Sequence, residues 1–275
     1  MPLIMHELLL HGSVPKQHHH QTLSILAGLS ATSSPPRILE RHYIFRPAQR
    51  LSGSGYAAFP SGASQQIDAG KLSRRAVQGS EARFVRLVEG LPAEVKPTAD
   101  GDEIDGMDGT ERMHGATQHY EAESLSIWTL HVDETPEPGV RSQISRKTQT
   151  QVFDDIDAVE TYISQQDITL VTSCLVSGHY LVYNHVLLRF YQCLRLIPHD
   201  PGAKQSIGLP LGDYERRPLD TSGAYVLEAC LRIEDGTDTD VMSRGTEEMK
   251  RIREELDGCV ELRAIERLSL DTRFR

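Results

Sequence analysis

The stretch from Ile168 to Ile197 constrains the chain more than any other. Val, Ile, Leu, Tyr and Phe dominate it, and residues of that kind suit a pleated, half-buried surface. It predicts three strands, with Ser177-Gly178-His179 as the first turn and a second break near Asn184. An apolar run of this length raises the question of a membrane span, which takes about 20 consecutive apolar residues. His179, Asn184, His185, Arg189, Gln192 and Arg195 interrupt the run, so no membrane contact is expected. The opening residues Met1 to Glu7 carry neither a basic n-region nor a small-residue cleavage site, and an intracellular, soluble protein is the expectation.

The segments around this block read as further strands with short helical excursions. Leu3 to Leu10 is a first strand ended by His11-Gly12. Gln21 to Leu29 places Leu23, Leu26 and Leu29 at helical spacing, and Ala31 to Pro36 stops that helix. Ile38 to Phe45 and Arg83 to Leu91 are strands, and Leu125 to Val132 alternates with a period of two. Asp154 or Asp155 can cap a helix carrying Ile156, Val159, Tyr162 and Ile163. Pro198 to Ser222 reads as a long loop and Ala224 to Ile233 as a strand. Asp240 to Leu256 has Met242, Gly245, Met249, Ile252 and Leu256 on one helical face, with Gly258 as its stop and a last strand over Cys259 to Leu268.

Regular βαβ alternation is missing from this order, so the sheet should be mainly antiparallel. The expected fold is α+β, mainly β: a closed or nearly closed antiparallel barrel of about nine or more strands with about three flanking helices, since closure removes exposed edges. One barrel domain over 1–275 is expected. Two flexible inserts interrupt it, a Gly/Ser/Ala-rich one at 47–81 and an acidic, Gly-rich one at 93–117, with a polar linker at 135–146.

Charge narrows the function. Asp and Glu number 39 against 29 Lys and Arg, a formal charge of −10, the wrong balance for gripping nucleic-acid phosphates directly. Cys174, Cys193, Cys230 and Cys259 form no C-x-x-C pair and read as buried reduced thiols. His18-His19-His20 has no completing ligands nearby and reads as a solvated run. His179, His185 and His199-Asp200 lack an accompanying nucleophile motif and read as turn residues. The glycines at 53, 55, 101, 106 and 109 make no phosphate-binding fingerprint. Asp100, Asp102, Glu103, Asp105 and Asp108 lack the terminal Glu and flanking helices of a calcium loop. A metal-dependent triphosphate hydrolase of barrel shape is the enzymatic alternative. It would need several convergent carboxylates, and the candidates are Glu121 and Glu123 with the isolated Glu7, Glu89, Glu228 and Glu261. No catalytic, cofactor-binding or metal-binding residue is assigned. Met242, Met249, Trp128, Tyr183 and Tyr191 could line a helix-receiving groove, though each is also a core candidate, so partner-contact residues stay unassigned. An unrelated barrel for a small ligand is the third reading.

Four stretches, taken in order, resemble the family of Mediator complex subunit 18. They are His6 to Val14, the helix ending Leu26-Ala27-Gly28-Leu29, the block from Gly178-His179 through Leu187 to Leu196, and the strand–helix–strand ending from Ala224 to Leu268. Their order and spacing carry the resemblance, and the low-complexity inserts fall between them. What the resemblance implies is a non-catalytic β-barrel of the Mediator head module. It would pair with Mediator subunit 20, receive a C-terminal helix of subunit 8, and contact other head subunits. Through them it would connect regulators with RNA polymerase II and the general transcription factors, in the nucleus.

Overall fold

A computed structural model describes residues 3–47, 84–91, 127–137, 142–166, 168–200, 202 and 206–266. The expected inserts at 47–81 and 93–117 lie outside the described residues, apart from Pro47 at a strand end. The elements in chain order are β1 (Leu3–Val14), α1 (His19–Leu29), β2 (Arg37–Pro47), β3 (Phe84–Gly90), β4 (Trp128–Asp133), β5 (Ile144–Phe153), α2 (Ile156–Gln165), β6 (Ile168–Tyr183), β7 (Val186–Pro198), β8 (Tyr214–Pro218), β9 (Tyr225–Ile233) and α3 (Thr239–Glu255).

All strand pairs are antiparallel, in the order β6-β2-β3-β4-β5-β1-β9-β7. Pairing of β6 with β7 closes these eight strands into a barrel. The ninth, β8, adds to the edge of β7 beyond the point where β9 leaves it.

The barrel is apolar outside and charged inside. Leu8, Leu10, Leu188, Phe190, Leu227 and Leu231 point outward and are covered by Leu26 of α1 and by Met249, Ile252 and Leu256 of α3. Each such side chain contributes about 1.5–3 kcal/mol through burial. A second outer cluster sets Tyr43, Leu87, Trp128 and Leu130 against Val159 of α2. Asp155, one of the two expected caps, accepts from the Ala158 amide at the start of α2. The α3 helix runs one residue short of the expected Leu256, and Gly258 follows it at φ +79°.

Several expectations are corrected. The block 168–197 holds two long strands, not three. Ser177-Gly178-His179 lies inside β6, where Gly178 pairs with Tyr191. A Cβ at Gly178 would lie 2.2 Å from the Phe190 carbonyl oxygen, so the glycine allows a close strand approach rather than a turn. The only turn in the block is at Asn184-His185, with Asn184 at φ +52°. β1 runs through His11-Gly12 to Val14, and α1 starts at His19 rather than Gln21. β5 takes in the last residues of the expected linker 135–146, and β8 forms within the expected loop 198–222. After α3 the described chain forms no strand over Cys259–Glu266. It makes one bridge, Arg263 to His11, and packs Val260 and Leu262 on the outer cluster. β5 first meets β1 at Leu9, so beyond Leu9 this tail segment, rather than β5, bonds to β1.

Candidate functional site

Cross-strand partners share a face, and the register therefore sets Glu7 beside both Arg146 and Arg232, and Arg189 beside Glu228, on the lumen side. Glu7 is 3% exposed and accepts from Arg146 Nη2 at 2.8 Å and Arg232 Nε at 3.1 Å. Arg146 also lies 3.1 Å from Asp133, whose other oxygen accepts from Thr148 Oγ1 at 2.6 Å. Arg189 of β7 donates to Glu40 of β2 at 2.5 Å, although β6 separates those strands in the sheet. It also lies 3.6 Å from Glu228, which has His11 Nε2 at 3.5 Å on its other side.

These contacts fix the protonation states. Burial pushes the Glu228 carboxyl up, but the hydrogen bond from His11 and the charge of Arg189 outweigh it and hold the group well below the usual carboxylate range. Glu40 follows the same pattern, burial being overcome by His42 and Arg189. Burial drives His42 down to about 4 against the opposing hydrogen bond to Glu40. Burial and the Arg86 charge drive His131 down to about 3. Both imidazoles are therefore neutral at pH 7, and the His42–Glu40 contact at 2.8 Å is a hydrogen bond from a neutral ring.

A pH dependence follows. Both histidines titrate at their ordinary value of 6.5 when unfolded and far lower when folded. Below pH 6.5 the unfolded chain binds more protons, so stability is full above that value and falls as the pH drops toward 4. At pH 5.5 the two together should remove about 3 kcal/mol relative to pH 7.5. Urea midpoints measured between pH 7.5 and 5.5 should fall accordingly, and His42→Gln should flatten the slope by about half.

The carboxylates of this network are committed to arginines, and among the described residues no three His, Cys, Asp or Glu side chains are arranged to hold a metal ion. Of the other candidates, the two that are described do not face the lumen. Glu89 faces outward, where it accepts from Tyr43 Oη at 3.0 Å beside Arg41. The Gly208 amide also donates to Tyr43 Oη, and Arg41 donates to the Leu209 carbonyl, so the chain after β7 seals this buried cluster. Glu261 is exposed and paired with Arg263, and Glu121 and Glu123 lie outside the described residues.

His18, His20, His185, His199 and Asp200 are exposed. His19 stacks on Phe190 with centroids 5.3 Å apart, and His179 lies within β6, 6.4 Å from it. All four cysteines are free. Burial pushes the Cys174 thiol up to about 11 and Cys230 to about 12, so neither is a thiolate at neutral pH. Trp128 and Met249 are core, and Met242 packs on the α3 cluster. Tyr183 bonds Glu255, and Tyr191 bonds Glu228 in the lumen. These five side chains form no common groove.

Two surface features escape sequence reading. Leu3, Val152, Tyr180 and Val182 pair with lumen-facing partners at one mouth of the barrel and are 41–62% exposed. A cleft of about 510 Å³ lies between the end of α3 and the chain after it, lined by Ser142, Arg253, Asp257 and Leu262 among others. Neither has a periodic signal, because both are assembled from strand or helix ends distant in sequence.

Comparison with known proteins brings the chain beside the Mediator subunit 18 proteins. A family model described as Med18 protein matches residues 6–273. The Mediator of RNA polymerase II transcription subunit 18 proteins of Aspergillus fumigatus and Aspergillus niger are each 30% identical over 98% of this chain and the whole of theirs. The counterpart from Coccidioides immitis is 28% identical over the same shares. A chain in the solved structure of the Schizosaccharomyces pombe Mediator head module superposes with a TM-score of 0.59 at 16% identity, covering 95% of this chain and 99% of that one.

Proposed function

The chain belongs to the Med18 family, and from that membership we propose that it is a non-catalytic structural subunit of the Mediator head module. The match over residues 6–273 carries this reading, because it takes in every helix and every strand, β1 from His6 onward. The lumen supports it from the chemical side. Its acids are engaged by arginines, which leaves, among the described residues, no convergent set of free carboxylates to chelate a metal for phosphoryl hydrolysis. The metal-dependent triphosphate hydrolase is accordingly the weaker reading.

In this role the barrel pairs with Mediator subunit 20 and receives a C-terminal helix of subunit 8. It contacts other head subunits and acts indirectly on RNA polymerase II and the general transcription factors, in the nucleus and without direct nucleic-acid contact. The outer clusters favour such a role, since a barrel wrapped by helices presents rigid surface on which partners can dock. The test is co-expression of the full chain with subunit 20 and a C-terminal subunit 8 peptide, followed by size-exclusion chromatography. A single 1:1:1 peak is expected. Separate elution beside folded partners would sink the pairing.

A further inference from the structure

Arg86 of β3 differs from the other lumen arginines. Arg146, Arg189 and Arg232 each donate a hydrogen bond to a carboxylate. Arg86 makes none with a described residue. Its ion-pair neighbour is Asp133, whose Oδ2 lies 3.9 Å from Arg86 and 3.1 Å from Arg146 without a hydrogen bond, while Thr148 donates to its Oδ1. The Arg86 side chain is only 19% exposed, and its Nε is buried without any acceptor. A guanidinium carries five N–H donors in a fixed fork, and leaving buried donors unmet is costly enough that such groups are nearly always satisfied by a partner, a water or an ion.

The surroundings are suited to a small ligand. Glu40 and Glu228 lie within the field of Arg86, yet Arg189 and His11 already engage them. His131 stands opposite Arg86 on β4 and as a neutral ring can add one donor without adding charge, whereas the single N–H of neutral His42 is already given to Glu40. Leu3, Val152, Tyr180 and Val182 at one mouth of the barrel are exposed to solvent.

We propose that the barrel lumen holds a small oxyanion, bound through two of its oxygens by the fork of Arg86. Carboxylate and phosphate-type anions share that two-oxygen face. The site neither requires nor supplies a metal, and it is independent of the assembly role, so loss of the anion effect would leave the co-expression outcome untouched.

The experiment uses the full chain in thermal melts with sodium acetate, inorganic phosphate or chloride at matched ionic strength. Acetate or phosphate, but not chloride, should raise Tm by about 3 °C near saturation. The better of the two identifies the anion class. Arg86→Met should fold and lose the oxyanion response, each shift being read against that protein's own anion-free Tm. An absent oxyanion-specific shift, or an equal shift in the variant, overturns the site. A variant that fails to fold is replaced by Arg86→Lys, which keeps the charge and loses the fork. Titration calorimetry should then show at least about tenfold weaker binding, and unchanged affinity would overturn the proposal.

Discussion

Gly178→Ala should lower the unfolding free energy by roughly 3–4 kcal/mol, more than most core substitutions. The added methyl would sit 2.2 Å from the Phe190 carbonyl oxygen and 2.5 Å from the Tyr191 Cα. Both atoms are backbone, so no rotamer change relieves the clash. β6 and β7 must separate locally, and their pairing is what closes the barrel. Denaturant titration of the two proteins gives the difference from the shift in midpoint, with little change in slope if the barrel still unfolds as one unit. A loss under about 0.5 kcal/mol, typical of a neutral surface site, would mean that the strands do not approach as described.

Glu7→Ala should cost a comparable amount, about 3–5 kcal/mol, because it takes from the buried Arg146 guanidinium one of its two carboxylate partners. Arg146 Nη2 and Arg232 Nε both donate to Glu7. Arg146 is 15% exposed and keeps Asp133, while Arg232 is 48% exposed and can turn to water. Most of the loss therefore falls on Arg146. Glu7→Gln, which keeps an acceptor but not the charge, should recover part of the stability. Equal losses for the two variants would assign the effect to packing rather than charge, and urea unfolding at pH 7.5 separates the cases.

The outer lattice was legible in the sequence and the lumen was not. α3 announced itself through Met249, Ile252 and Leu256, and β9 through the alternation of Leu227, Ala229, Leu231 and Ile233, because those residues face the apolar exterior clusters. β5 (Ile144–Phe153) has no such pattern. Its lumen face carries Arg146, Thr148 and Thr150, and Gln149 and Gln151 on the other face remain part-exposed, so both faces read as polar. A strand that buries charge on one side looks like a loop to any argument from hydrophobic period. The same limit hid the network itself. Glu7, Glu40 and Glu228 stand singly in the chain, and only the closed register brings each to its arginine. Gly178 misled in the other direction, since a glycine between strand-forming runs signals a turn and a close backbone approach equally well.

The position of β1 has a consequence for how the protein is made. The first strand bonds to β5 along one edge and to β9 along the other, with His6 opposite Ile233. On the ribosome, the opening residues must therefore wait for almost the entire chain before their second neighbour emerges. Such late, distant pairing slows folding, and meanwhile β1 offers a vacant edge to other nascent chains. A message truncated before Tyr225 would leave that edge open permanently, and its product should aggregate rather than persist as a smaller folded barrel.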